Sequence, residues 1–227
     1  MTTTMKSDSV TLERRNGYYE IDGEFYPSVT TILQVISKPA LMSWYGKLGT
    51  EEANRIKQES ADFGKTVHDL IRVVLSGGTV DYDTTDPVVG GCLRSFEEWV
   101  RLVEFQPVLT EHTIHSKVHG FAGTLDALGL VYGVPTLIDW KTSSGVYDEM
   151  TLQVAAYDVA VREMQLGQPL MKLIVRFDKK TKACHPTSVD ASEAAFGAFL
   201  NAKQLWMWLQ EAKSRPGAKR ANGAGGT

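Results

Sequence analysis

The sequence predicts an α/β fold built on a central mixed β-sheet with helices packed against it. Three observations lead there. The predicted elements run in the order helices, three strands, helix, two strands, helix; the strand segments are short apolar runs bounded by turn dipeptides; and the segments between them carry apolar residues at helical spacing. At 227 residues and 43% hydrophobic content the chain can bury a core as one domain, with room for an N-terminal helical addition.

Residues 18–21 and 24–26 flank Asp22-Gly23, a dipeptide that readily takes the positive φ angles of a tight turn, so a small hairpin opens the fold. After Pro27 the pattern turns helical over 29–36, then in pieces over 41–57, where polar residues separate Leu41, Trp44, Leu48 and Ile56. Residues 1–62 thus read as a hairpin and helical cap. The core, 63–213, opens with a helix carrying Phe63, Val67, Leu70, Ile71, Val74 and Leu75, stopped by Ser76-Gly77-Gly78. A polar loop over 78–87 precedes a helix over 89–103, with Leu93, Phe96 and Val100 on its inner face. Strands are expected over 108–117, 123–131, 136–141, 170–177 and 183–189, with a helix over 148–165 before the fourth. Asp190 and Glu193 have the spacing of a capping box for a helix running to about Lys213. Residues 214–227, with Arg215, Lys219 and Arg220 among Gly and Ala, have the composition of a basic disordered tail.

Composition excludes several classes. A net charge of −3 gives no global pull toward nucleic acid, so any such binding needs a local basic surface or a metal. Cys92 and Cys184 are too few for a disulfide framework, a four-cysteine zinc site or a cysteine-ligated iron-sulfur cluster. With no run of membrane-helix length and no secretory or transit segment, the expected setting is the cytoplasm, with no membrane partner.

The segment from Gly123 to Lys141 carries the chemistry. Each of two apolar strands holds one aspartate where a core residue is otherwise expected, and buried carboxylates need a reason. If Tyr132-Gly133 is a two-residue turn, facing residues sum to 265 and Asp126 lies opposite Asp139; if 132–135 is a four-residue turn, Asp126 faces Lys141. In both registers Asp126, Asp139 and Lys141 share a face. Carboxylates about 5 Å apart on neighbouring strands repel, so they persist as ions when a cation lies between them. Oxygen ligands favour Mg²⁺ or Mn²⁺ over zinc, and these ions bind phosphate oxygens, which points to phosphoryl transfer with Lys141 beside the attacking water. The alternative is a structural ion pair between Lys141 and an aspartate. Asp-x-Lys spacing recurs at Asp178-Lys179-Lys180, and the acidic equivalent at Glu211-Ala212-Lys213, yet neither has an acidic strand upstream.

Four segments, in order, resemble the PD-(D/E)xK nucleases: Gly64-Lys65-Thr66-Val67-His68, Gly120-Phe121-Ala122-Gly123-Thr124-Leu125-Asp126, Leu137-Ile138-Asp139-Trp140-Lys141-Thr142-Ser143 and Gln153-Val154-Ala155-Ala156-Tyr157. The resemblance covers most of the chain and is to the branch with the RecB nuclease domain and the mitochondrial genome maintenance exonuclease, among phage or bacterial members. Tyr26-Pro27-Ser28-Val29-Thr30-Thr31-Ile32-Leu33 also looks like phage and mitochondrial members. It implies a restriction-endonuclease-like core in which His68, Asp126, Asp139 and the Trp140 carbonyl hold Mg²⁺ or Mn²⁺, with Lys141 as catalytic lysine. Gln153 and Tyr157 would contact DNA or brace the lysine, and Glu111 resembles an acidic residue of many members. Read from the residues alone, His68 is a satisfied helix-boundary histidine, Gln153 and Tyr157 a polar rim, and Glu111 a solvated strand end; Gly64 leaves room for a strand or nucleic-acid backbone. His112, His115 and His119 do not converge on a strand. Trp44 and Tyr45 either stack bases under the cap or belong to the core.

The resemblance implies a DNA exonuclease acting at single-stranded ends in recombination, repair or phage DNA processing, with recombination or replication proteins as further partners. A structure-specific endonuclease, an RNA-directed hydrolase and a catalytically idle DNA-binding or assembly module are the alternatives.

Overall fold

The computed structural model describes residues 14–214, so the expected basic tail, apart from Ser214, lies outside the described residues. β1 (Arg14–Arg15), β2 (Tyr18–Ile21) and β3 (Glu24–Pro27) form a small antiparallel sheet. Asp22 and Gly23 take φ of 53° and 80°, the two positive angles that let a two-residue turn follow the strand twist. Tyr19 and Ile21 bury against Ala122, and the Tyr19 hydroxyl meets Thr124 Oγ1 at 3.0 Å, fastening this hairpin to the main sheet.

The cap comprises α1 (Val29–Ile32), a 3-10 turn (Leu33–Val35) and α2 (Pro39–Leu48), followed by α3 (Thr50–Leu75). α3 is a single helix of 26 residues that runs through the position, Phe63, where the sequence pattern marks a start. The continuity escapes periodicity because residues 57–62 are mostly polar, with little apolar stripe to follow. Side-chain pairs one turn apart, Arg55 to Glu59 and Gln58 to Asp62, support the helix there. α4 (Pro87–Leu102) begins two residues earlier than expected: Asp86 accepts the Val88 and Val89 amides, and Pro87 occupies the first turn, where its missing N–H costs nothing.

Five strands make the main sheet, in sequence order: β4 (Gln106–Ser116), β5 (Phe121–Val131), β6 (Val134–Lys141), β7 (Met171–Phe177) and β8 (Cys184–Ser188). All neighbours are antiparallel except β6 and β7, which run parallel because α5 (Asp148–Glu163) carries the chain back between them. The sheet is therefore mixed, as expected. α3 and α4 cover one face, burying Val67, Ile71, Phe96, Trp140 and Phe177. α1, α5 and α6 (Glu193–Ser214) cover the other, burying Ile114, Leu125, Val154, Ile174 and Phe199. The expected capping box does not form. α6 starts at Glu193, with Ser192 O accepting the Phe196 amide, so Asp190 lies outside the cap position. Among the described residues no helix is long and apolar enough to cross a membrane.

Candidate active site

Tyr132 and Gly133, at φ 49° and 75°, make the two-residue turn, and the β5–β6 register pairs Val131 with Val134 and Ala127 with Ile138. Each pair sums to 265, so the first of the two registers is the real one. The ladder stops at Ala127 and Ile138, one step before Asp126 and Asp139. Beyond that point β5 pairs with β4, and β6 with β7 as far as Lys141 and Arg176. The sheet therefore forks, and both aspartates lie at the fork. Parting strands leave backbone groups without ladder partners, which must be met otherwise. Asp126 meets one of them: its Oδ2 accepts the Trp140 amide at 2.7 Å.

β5 also changes face here. Leu125 packs toward α5 and α6, whereas Ala127, two residues on, packs toward α3 and α4. Strict alternation would put both on one side. The partner position on β4 is Glu111, which takes φ 48° and is skipped in the pairing between Thr110–Ala127 and His112–Leu125. A positive φ at a non-glycine residue is strained, and such strain concentrates at functional positions. Glu111 is thus an exposed mid-strand residue with a positive φ rather than a strand end.

From the α5 side, Gln153 Nε2 donates to Asp139 Oδ1 at 2.7 Å, and Lys141 Nζ stands 2.5 Å from Asp139 Oδ2. That oxygen is buried, with the Lys141 ammonium as its cationic partner. From the α3 side, His68 Nδ1 lies 3.5 Å from Asp126 Oδ1 and 3.9 Å from Glu111 Oε1. His68, Glu111 and Asp126 each place one ligand atom within 4.8 Å of the others, close enough to share a metal ion. Sequence reasoning put His68 and Asp126 together but gave Glu111 little weight; its backbone conformation has no signature in residue type.

The electrostatics follow from this crowding. Burial first, and the Asp139 charge second, push Asp126 up to about 7, against the opposing pull of His68, Lys141 and the Trp140 amide. Burial alone draws His68 down, but Glu111 and Asp126 outweigh it and raise it. Burial likewise opposes the Lys141 ammonium, yet Asp139 and Asp126 hold it above its usual range. Three carboxylates compete for two cations, an arrangement with capacity for another positive charge. The donor set of two carboxylates and one imidazole, from Glu111, Asp126 and His68, fits a divalent ion with oxygen preference, and Asp139 is not one of the three.

Gly64 sits where α3 meets the end of β6: a Cβ there would stand 3.0 Å from Thr142 Oγ1. Gln153 and Tyr157 are not a rim. α5 is buried nearly all round, with Gln153, Val154 and Tyr157 inside and Leu152 and Val159 half-buried. Tyr157 closes over Gly123, whose added Cβ would come within 2.5 Å of the ring. Gly123→Ala should therefore displace Tyr157 and cost about 1–3 kcal/mol, read as a lower melting temperature. Of the other histidines, His115 packs on Tyr26 and His119 on Phe196. Asp178 opens a turn, accepting the Lys180 and Thr181 amides, so its Asp-x-Lys spacing is incidental. An open pocket of about 460 Å³ lies over His68 and Glu111, edged by Lys65, Arg72 and Thr142.

No protein-family model and no curated protein matches the sequence. In structure the chain is similar to a protein of Eubacterium rectale designated an exonuclease, with a TM-score of 0.51, 12% identity, and 83% of this chain and 81% of that one covered. An alkaline exonuclease from Laribacter hongkongensis is similar with a TM-score of 0.46 and 12% identity, over 83% of this chain and 89% of that one. The first likeness supports the α/β fold class described above.

Proposed function

We propose that the protein is a divalent-metal-dependent nuclease that hydrolyses DNA phosphodiester bonds, acting exonucleolytically from single-stranded ends. The observation that carries the reading is the fork itself, where Asp126 and Asp139 emerge beside Lys141, His68 and Glu111 with more negative than positive charge. The designation of the Eubacterium rectale protein as an exonuclease favours the exonucleolytic form.

Asp126, Asp139, His68 and the Trp140 carbonyl, joined by Glu111, would hold Mg²⁺ or Mn²⁺. Bound there, such an ion would polarise a phosphoryl oxygen and lower the pKa of a coordinated water. Lys141, kept charged by Asp139, orients the attacking water and offsets negative charge building on phosphorus. Gln153 fixes the Asp139 carboxylate from behind. Lys65 and Arg72 line the pocket beside the site and would meet phosphate oxygens, with Asp69 paired to Arg72.

The test is digestion of 5′- and 3′-labelled single-stranded, double-stranded and circular DNA, and of RNA, with and without Mg²⁺ or Mn²⁺. Metal-dependent shortening of linear single strands, with circles left intact, is the expected result. Cleavage of circles would replace the exonuclease with an endonuclease, and no cleavage of any substrate would leave a binding module.

A further inference from the structure

We propose that the groove between the helical cap and α5 is a base-holding subsite that takes an unpaired nucleotide next to the bond being cut. This rests on the nuclease reading and extends it to what the enzyme requires of its substrate. The groove encloses about 880 Å³ and ends at Lys141 and Gln153, so it is continuous with the fork but on the opposite side from the His68 pocket. Ile36, Leu41, Met42 and Met150 give it an apolar wall, alongside polar lining residues such as Gln34 and Ser37. Leu41 and Met42 are 42% and 73% exposed. Large apolar side chains held open to water beside a charged site mark a binding surface.

The chemistry of the walls selects the occupant. A strand whose phosphate sits at Lys141 must put its sugar and base within one nucleotide of that point. On the His68 side they meet Lys65, Arg72 and carboxylates; on the groove side they meet apolar surface. Base faces are apolar and are presented only when the base is unpaired and unstacked, so a duplex cannot fill the groove. The acid in the wall, Glu149, is neutralised by Lys38 at 2.7 Å, and Lys57 adds a positive charge at the rim. Trp44 and Tyr45, the aromatic residues of the cap, do not line the groove: they pack edge to face at 5.3 Å, and the Tyr45 hydroxyl donates to Asn54.

The test uses the full chain with Mn²⁺ and end-labelled single-stranded oligonucleotides carrying one abasic residue, moved stepwise across the cleavage position. A small diester, bis(p-nitrophenyl) phosphate, reports on the catalytic centre separately. At one position flanking the cut, the abasic residue should raise KM roughly tenfold for the native protein, the scale of burying one base face against aliphatic side chains. Met42→Ser should abolish that discrimination, and Leu41→Ser should reduce it. Leu48→Ser, on the same helix but outside the groove, should retain it. Melting temperatures of the three variants should match the native protein, since these side chains are exposed. Equal KM for intact and abasic strands at every position, with the small diester still cleaved, overturns the subsite alone and leaves the groove to a protein segment. Discrimination that persists in Met42→Ser overturns it too. Failure to cleave either substrate overturns the nuclease reading together with the subsite.

Discussion

Asp139→Asn and Lys141→Ala should each lower metal-dependent DNA cleavage by roughly a hundred- to ten-thousand-fold, the usual cost of removing one group that acts on the transition state. Asp139 is the junction of the site: one oxygen is held by Gln153, and the other pairs with Lys141. Asparagine keeps the shape but removes the charge that holds Lys141 in place and attracts a divalent ion. Lys141→Ala leaves the Asp139 carboxylate without its cation, so this variant should also melt at lower temperature, because an unpaired buried charge is costly. Circular dichroism at the assay temperature separates the two effects. Native-like cleavage by both folded variants would remove the fork from the reaction.

Asp126→Asn should have the opposite effect on stability. In the metal-free protein the Asp126 carboxyl is raised from its ordinary 3.8 to about 7, chiefly by burial. Between these values the folded chain binds the proton more tightly than the unfolded chain does, so the group's contribution to stability declines as pH rises from about 4 to about 7. Above that window the buried charge remains as a standing cost. Asparagine removes the charge and can still accept the Trp140 amide. At pH 8 without metal the variant should gain on the order of 2 kcal/mol, roughly 4–8 °C in melting temperature. At pH 4, where the native carboxyl is protonated, the gain should vanish. The native protein should also be stabilised by Mn²⁺ more at pH 8 than at pH 5, and the variant at neither. A variant that melts lower than the native protein at pH 8 without metal would show Asp126 to be a structural acid.

The order of strands and helices was readable because each depends on local spacing. At Tyr132-Gly133 the spacing left two registers, from a two-residue or a four-residue turn, and the structure adopts the first. What the alternation could not convey is that the pairing ends one step before the aspartates. Pairing is a property of two strands, and the end of the β5–β6 pairing coincides with the positive φ of Glu111 in a third. The unbroken α3 was hidden for a related reason, since residues 57–62 are sustained by polar pairs rather than by a buried stripe. Gln153 and Tyr157 were misplaced on the helix because α5 is enclosed on nearly all sides, which flattens the contrast that marks an inner face.

The length of α3 has a mechanical corollary. At 1.5 Å per residue its 26 residues make a rod of about 39 Å, with His68 toward one end and the floor of the cap at the other. The helix is unbroken between the two, and the positive φ angles lie just beyond its ends, at Gly49 and Gly77, with φ of 80° and 78°. Under the proposed function, a strand held against the cap would load α3 along its axis toward His68.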